Sequence, residues 1–209
     1  MNRDEIVQYA GNNIQGWMSF TDLEVLWDLV HQYVKPGGHA IEVGCWKGES
    51  TYVIGNACKN IGATLYAIDT WAGNVEPGHE YKNKADNVGT YIEAVKNPGF
   101  IGIFLANVAG LPVLHLQGDS QKVHEQIPDF TCDFCFLDGD HNSPVIDNDI
   151  KNYLKKIRPG GIICGHDHGN PEGDVHWAVE RAFGTDWKLQ VRPLDVPLVC
   201  TTIWVHEVK

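Results

Sequence analysis

Apolar positions recur at intervals of three and four along residues 19–34, where Leu23, Leu26, Trp27 and Val30 follow a Ser-Phe-Thr-Asp start. That spacing predicts an amphipathic helix with a capped N-terminus. Lys35-Pro-Gly-Gly38 ends it, the apolar run 39–44 reads as a short strand, and a glycine-containing turn leads into a helix over residues 50–60. Further apolar runs at 63–69, 112–117, 132–138 and 161–167 predict four more strands. Ahead of the last, Val145, Ile146, Ile150, Tyr153 and Leu154 mark a helix within 144–156, and Arg158-Pro-Gly-Gly161 reads as a turn. Another helix is expected over 172–183. The β-rich runs 187–193 and 198–207 have no helix between them, so they should pair antiparallel and close one sheet edge. Strands alternating with helices predict an α/β, Rossmann-like, doubly wound sheet of seven mainly parallel strands, whose ligands gather at the strands' carboxyl ends.

A chain of 209 residues is the length of one domain, here 1–209 with a helical segment over 1–38. The interval 72–111 is longer than a simple crossover needs. Its 81–96 portion reads partly as helix, and the rest as an insertion suited to a lid or substrate loop.

Composition narrows the partners. A net charge of -11 repels a nucleic-acid backbone or an anionic membrane, so neither is expected. No stretch approaches the ~18 apolar residues of a membrane span. The opening MNRDEIVQYAGN carries charges where a secretion signal needs an apolar run, so a cytoplasmic protein is expected. The six cysteines are scattered through apolar segments and are expected to be reduced core residues; alternation along a strand should put Cys132 and Cys135 on opposite faces.

Candidate chemistry lies where strands end. Glu42-Val-Gly44-Cys-Trp-Lys-Gly48-Glu-Ser50 follows the first strand and opens a helix, where glycine allows a tight turn and close approach of amides to a ligand. The spacing G-x-x-x-G lacks the second glycine that accommodates a pyrophosphate, which favours a ligand without phosphates. Asp69 ends the second strand, where a carboxylate can accept both hydroxyls of a ribose, and Gly118-Asp119-Ser120 ends the third. Asp138-Gly-Asp140-His141 ends the fourth and His166-Asp167-His168 the fifth. Adjacent parallel strands bring these ends together, and their side chains suit a hard or borderline divalent ion.

Together E-V-G-C-W-K-G-E-S-T, A-I-D-T-W-A-G-N, L-Q-G-D-S and F-L-D-G-D-H with R-P-G-G-I-I-C-G-H-D resemble the motifs of class I S-adenosylmethionine-dependent methyltransferases. More narrowly they resemble the bacterial macrocin-type and related antibiotic-sugar O-methyltransferases, from Gly16 to Phe183. The resemblance implies that Glu42, Gly44 and Gly48 surround the methionine part of S-adenosylmethionine, that Asp69 holds its ribose, and that Asp119 and Ser120 lie by its adenine. Cys45, Trp46, Ser50, Thr51, Thr70, Trp71, Gly118 and Asp138 complete the cofactor shell it implies. It also implies Mg2+ or another divalent metal on Asp138, His166 and Asp167, with His141 as the base that deprotonates an acceptor hydroxyl. His166 departs from the oxygen donor usual in that group.

The acceptor is expected to be a small molecule, and a homo-oligomer is compatible with the sequence. Three rival readings stand beside this one. The enzyme could work without metal, using His141 alone. G-D-H-N and G-H-D-H-G-N could belong to a binuclear metallophosphoesterase, although the early D-x-H of such enzymes is missing. Or the domain could bind S-adenosylmethionine or another metabolite without catalysis, although a bare binding module would not require so many ionisable groups at one place.

Overall fold

A computed structural model describes residues 1–72, 99–169, 173–190 and 202–209. Helix α1 (Arg3–Asn13) starts in a capping box between Asn2 and Glu5. Helix α2 (Phe20–Tyr33) starts in another: the Ser19 hydroxyl accepts from the Asp22 amide while the Asp22 carboxylate accepts from the Ser19 amide. Each box satisfies two amides that a helix start would otherwise leave bare. Strand β1 (His39–Val43) leads through the glycine turn into α3 (Glu49–Ile61), and β2 (Thr64–Asp69) follows.

Within the 72–111 interval the described helix is α4 (Phe100–Asn107); the helix expected over 81–96 lies outside the described residues. Then come β3 (Val113–Gln117), the one-turn α5 (Ser120–Val123) with a 3-10 turn over His124–Gln126, β4 (Cys132–Leu137), α6 (Val145–Leu154) and β5 (Ile157–Gly165). Helix α7 (Val175–Phe183) precedes β6 (Lys188–Leu189) and β7 (Trp204–Glu207).

The strands form one seven-stranded sheet in the order β3-β2-β1-β4-β5-β7-β6. The first five in that order are parallel; β7 joins β5 antiparallel and β6 joins β7 antiparallel, as the C-terminal pattern predicts. Alternation sorts the core into two layers. Phe134, Phe136, Ile162 and Cys164 pack with Leu23, Leu26, Val53 and Ile54 of α2 and α3, while Ile41, Leu137 and Ile163 pack with Ile150, Tyr153 and Val179 of α6 and α7. Strand order reverses between β1 and β4, which opens a crevice at their carboxyl ends.

Two local expectations are corrected. Arg158-Pro-Gly-Gly161 is drawn into β5 as an irregularity: Cys132 pairs with Ile157 and Phe134 already with Ile162, and Arg158 forms an ion pair with buried Asp133. The same irregularity breaks the alternation in β4, so Cys132 and Cys135 join one core layer rather than two. Cys45, Cys58, Cys132, Cys135 and Cys164 are free and buried, and burial raises their thiol pKa values, Cys58 to about 12 and Cys132 to about 11.

Candidate active site

The glycine turn is held in place by Asp69. Its Oδ2 accepts from the Cys45 amide at 2.9 Å and the Trp46 amide at 2.8 Å, and its Oδ1 from the Trp71 amide at 2.7 Å. The Trp71 indole in turn donates to the Trp46 carbonyl at 2.9 Å. These bonds fasten the loop after β2 to the turn after β1, and both Trp46 and Trp71 sit at positive φ, +42° and +48°. Such conformations persist only where surrounding contacts over-determine them. Burial raises the Asp69 pKa even though the amides it accepts from pull it down.

Gly44 lies against the end of β4: a Cβ there would come within 2.0 Å of the Asp138 carbonyl oxygen, and its φ is +88°. The turn and the loop bearing Asp138 are therefore in backbone contact. Under the turn, Glu42 is fully buried, accepts from the Ser50 hydroxyl at 2.5 Å through Oε1, and leaves Oε2 without a hydrogen-bond partner. Burial lifts its pKa to about 7. An unmet buried acceptor is costly, and a ligand's donor is one way to satisfy it.

Not every residue of the expected cofactor shell turns its side chain to the crevice. The Cys45 side chain and the Trp71 indole pack into a core cluster with Ala67, Phe100, Phe104 and Val108. Ser50 and Thr51 are buried, Ser50 against Glu42. The Thr70 hydroxyl accepts from the Ala72 amide, shaping the loop. Gly118 takes φ +154°, and Asp119 caps α5 by accepting from the Gln121 amide at 2.9 Å. The Ser120 carbonyl accepts from Tyr153 of α6, which ties this third loop to the layer below.

The ends of β4 and β5 meet as the sequence predicts, with a different histidine at the centre. His141 Nε2 lies 3.6 Å from Asp138 Oδ1 and 3.4 Å from Asp167 Oδ2, and it is buried without a hydrogen-bond partner. Asp138, His141 and Asp167 offer ligand atoms that all lie within 4.8 Å of one another, which fits a divalent cation taking two carboxylates and an imidazole. His166, expected as the ligand, is occupied on both sides: Nδ1 lies 3.1 Å from Asp167 Oδ2 and Nε2 lies 3.5 Å from Asp22 Oδ2. Burial alone would lower its pKa; Asp167 and Asp22 overcome that and lift it to about 11, so it is an imidazolium. His141 is raised as well, burial being outweighed by Asp138 and Asp167.

Asp140 is a turn residue, accepting from the Asn142 amide and side chain at 2.9 Å each. His168 turns away to His176, 3.1 Å between ring nitrogens, so the two histidines around Asp167 do not converge on one ion. That arrangement departs from the paired metal set of a phosphoesterase.

Two residues of this site carry no sequence signal toward it. Asp22, 4% exposed, reads as a helix cap and is one, yet it also anchors His166. Glu49, likewise buried, accepts from the Met18 amide at 3.1 Å and is lifted to about 7 by burial.

Similar proteins agree with this architecture. An O-methyltransferase from Thermotoga maritima described as S-adenosylmethionine-dependent superposes with a TM-score of 0.62 at 14% identity, covering 98% of this chain and 71% of that one. The Podospora anserina methyltransferase PaMTH1, solved with S-adenosylhomocysteine bound, gives a TM-score of 0.61 at 11% identity over 99% of this chain and 88% of that one. CalS11, a TDP-rhamnose 3'-O-methyltransferase of calicheamicin biosynthesis, gives 0.57 at 13% identity over 98% and 92%. At these identities the likeness is one of fold. Among the described residues no helix is long and apolar enough to cross a membrane. In sequence, the family described as methyltransferase domain matches residues 41–168, from β1 to the loop after β5. That is more than half of the chain, and the chain belongs to the methyltransferase domain family.

Proposed function

We propose that the protein transfers a methyl group from S-adenosylmethionine to a hydroxyl oxygen of a small-molecule acceptor, with a divalent cation held by Asp138, His141 and Asp167. The observation that carries the reading is the convergence of those three side chains at strand ends in backbone contact with the glycine turn. The turn suits a ligand without phosphates, and Glu42 Oε2 is a buried acceptor available to an ammonium group such as that of a methionine. S-adenosylmethionine, when bound, supplies an electrophilic methyl on sulfonium; a cation at the cluster supplies a Lewis acid that makes a hydroxyl easier to deprotonate. The chain's own residues do the positioning. Asp69 fixes the turn, Gly44 lets the Asp138 loop approach it, and the His166 imidazolium holds Asp167 toward His141. Alignment of the two reactants between turn and cluster would supply much of the rate enhancement. The likeness of fold to a TDP-sugar O-methyltransferase and the resemblance of the sequence motifs to those of antibiotic-sugar O-methyltransferases support a sugar or similar hydroxyl as acceptor.

A metal-free reading is favoured by one observation: two carboxylates flank His141 Nε2 and raise its basicity, which suits it to take a hydroxyl proton directly. One experiment separates these. Transfer of label from methyl-labelled S-adenosylmethionine to TDP-rhamnose and to catechol is measured after chelation and after return of Mg2+, Mn2+ or Zn2+. Loss on chelation with recovery on return, and no recovery in Asp167→Asn, supports the metal. Full activity in chelator that disappears in His141→Ala supports the imidazole alone. Binding of S-adenosylhomocysteine without transfer to any acceptor would favour a non-catalytic domain.

A further inference from the structure

The sheet ends differently at its two edges. β6 is two residues long and carries Lys188, a short charged end of the kind that discourages further pairing. β3, at the opposite edge, runs from Val113 to Gln117, keeps an unbroken register with β2, and has neither a proline nor a charged side chain. The uncharged stretch is longer than the strand: residues 97–118 hold no Asp, Glu, Lys or Arg, in a chain of net charge -11.

Register decides which groups of β3 are left over. The Leu65 amide donates to the Pro112 carbonyl and the Gly118 amide to the Asp69 carbonyl, so positions 112, 114, 116 and 118 turn their backbone toward β2. Parallel alternation then directs the amides and carbonyls of His115 and Gln117 outward, where they meet no backbone partner among the described residues. Side chains alternate between the two faces. Val113 packs on the cluster built by α4, while Leu114 and Leu116 share the other face with Tyr66. The helix on that side, α5, is a single turn, and Leu114 stays 52% exposed.

We infer that β3 is the contact of a homodimer, pairing antiparallel with β3 of a second copy about a twofold axis at His115. In this register the two His115 residues exchange amide and carbonyl, and each Leu114 comes to lie beside Leu116 of the second copy. Two features favour a second copy over any other occupant. Around a twofold axis a charge meets its own image, and this strand brings none. At the ends of the strand the charges complement each other under antiparallel pairing. Lys59 Nζ lies 3.2 Å from the Gly110 carbonyl just before β3, and the half-exposed Asp119 follows it, so the Lys59 end of each copy meets the Asp119 end of the other. The inference stands apart from the choice of methyl acceptor and from any metal.

The test is sedimentation of the full chain at concentrations from about 1 to 100 µM. Wild type is expected to be a dimer with a dissociation constant of about 10 µM or lower. Leu114→Glu places a charge against an apolar neighbour twice per dimer, and His115→Pro deletes an outward amide and no bond to β2; each should raise that constant at least about tenfold while leaving the thermal midpoint of the monomer near that of wild type. Hydrogen exchange in wild type reads the same contact without substitution: the amides of His115 and Gln117 should slow as the concentration passes the dissociation constant. A wild-type monomer at the highest concentration overturns the inference and leaves the edge to a different partner. A dimer that persists equally in both variants, or exchange at these two amides that does not change with concentration, also overturns it.

Discussion

His166 and Asp22, 144 positions apart in the chain, face each other across 3.5 Å, with the other ring nitrogen of His166 on Asp167. Asp22 is buried and the His166 side chain is 14% exposed, and the pair fastens the first turn of α2 to the end of β5. Removing one partner leaves a buried imidazolium half-satisfied, which costs far more than the intact pair contributes. Asp22→Asn is therefore expected to destabilise the protein by about 3 kcal/mol, while Asp22→Asn with His166→Gln recovers most of that. Asparagine keeps an oxygen for the Ser19 amide, so the cap survives and the loss reports on the ion pair. Urea unfolding of the two single variants and the double variant measures it; additive losses would refute the coupling.

Asp69 uses both carboxylate oxygens on three amides. Asparagine has one oxygen, and its amino group would oppose at least one donor. Asp69→Asn should lower stability by about 1–3 kcal/mol and loosen the turn, weakening S-adenosylhomocysteine about tenfold. Asp129→Asn is the control, because that side chain is half exposed, pairs with Lys156 and precedes the amino end of β4. Calorimetric titration of both variants should show a large loss in the first and a small one in the second.

What could be read from sequence divides along the range of the interactions. The glycine turn, the strand ends and the C-terminal antiparallel pair depend on residues close in the chain, and hydrophobic period and turn chemistry reveal them. Ser19-x-x-Asp22 gave a complete local reason for its acid, so nothing remained to suggest the distant His166. That His141 and not His166 enters the cluster was equally hidden. It depends on Asp22 drawing His166 backward and on the positive φ of Asp167, +58°, which redirects the loop. Arg158-Pro-Gly-Gly161 has the composition of a turn; only the buried Asp133 opposite shows why the sheet absorbs it.

Gly44 and Gly48 share a left-handed conformation and differ in what lies beside them. An alanine Cβ at Gly44 would strike the Asp138 backbone at 2.0 Å, whereas at Gly48 it would meet the Phe104 and Val108 side chains at 3.2 Å. Side chains can give by a few tenths of an ångström, but here the backbone cannot move without carrying Asp138 away from His141. Gly48→Ala should cost about 1–2 kcal/mol, mostly from φ. Gly44→Ala should cost more than that and abolish activity even where the protein still folds. Thermal denaturation paired with methyl transfer distinguishes the two; similar losses in both variants would mean that φ alone matters.

Asp149 on α6 offers a pH test away from the cluster. It is 2% exposed, accepts from the Gln121 side chain at 2.5 Å, and burial lifts its pKa to about 7 against an ordinary value near 4. A carboxyl raised on folding contributes stability that is fully present below its unfolded pKa and is lost as pH climbs through the folded one. Wild type should thus lose stability relative to Asp149→Asn between about pH 4 and pH 7, by an amount on the order of 4 kcal/mol at most, and no further above that. Asparagine mimics the uncharged acid and keeps an oxygen for the Gln121 side chain. Glu42 and Glu49 titrate in the same window but are common to both proteins, so their contributions cancel in the difference. Unfolding free energies at pH 4.5, 6 and 8 decide it. A difference that stays constant with pH would mean that Asp149 keeps its ordinary pKa in the fold.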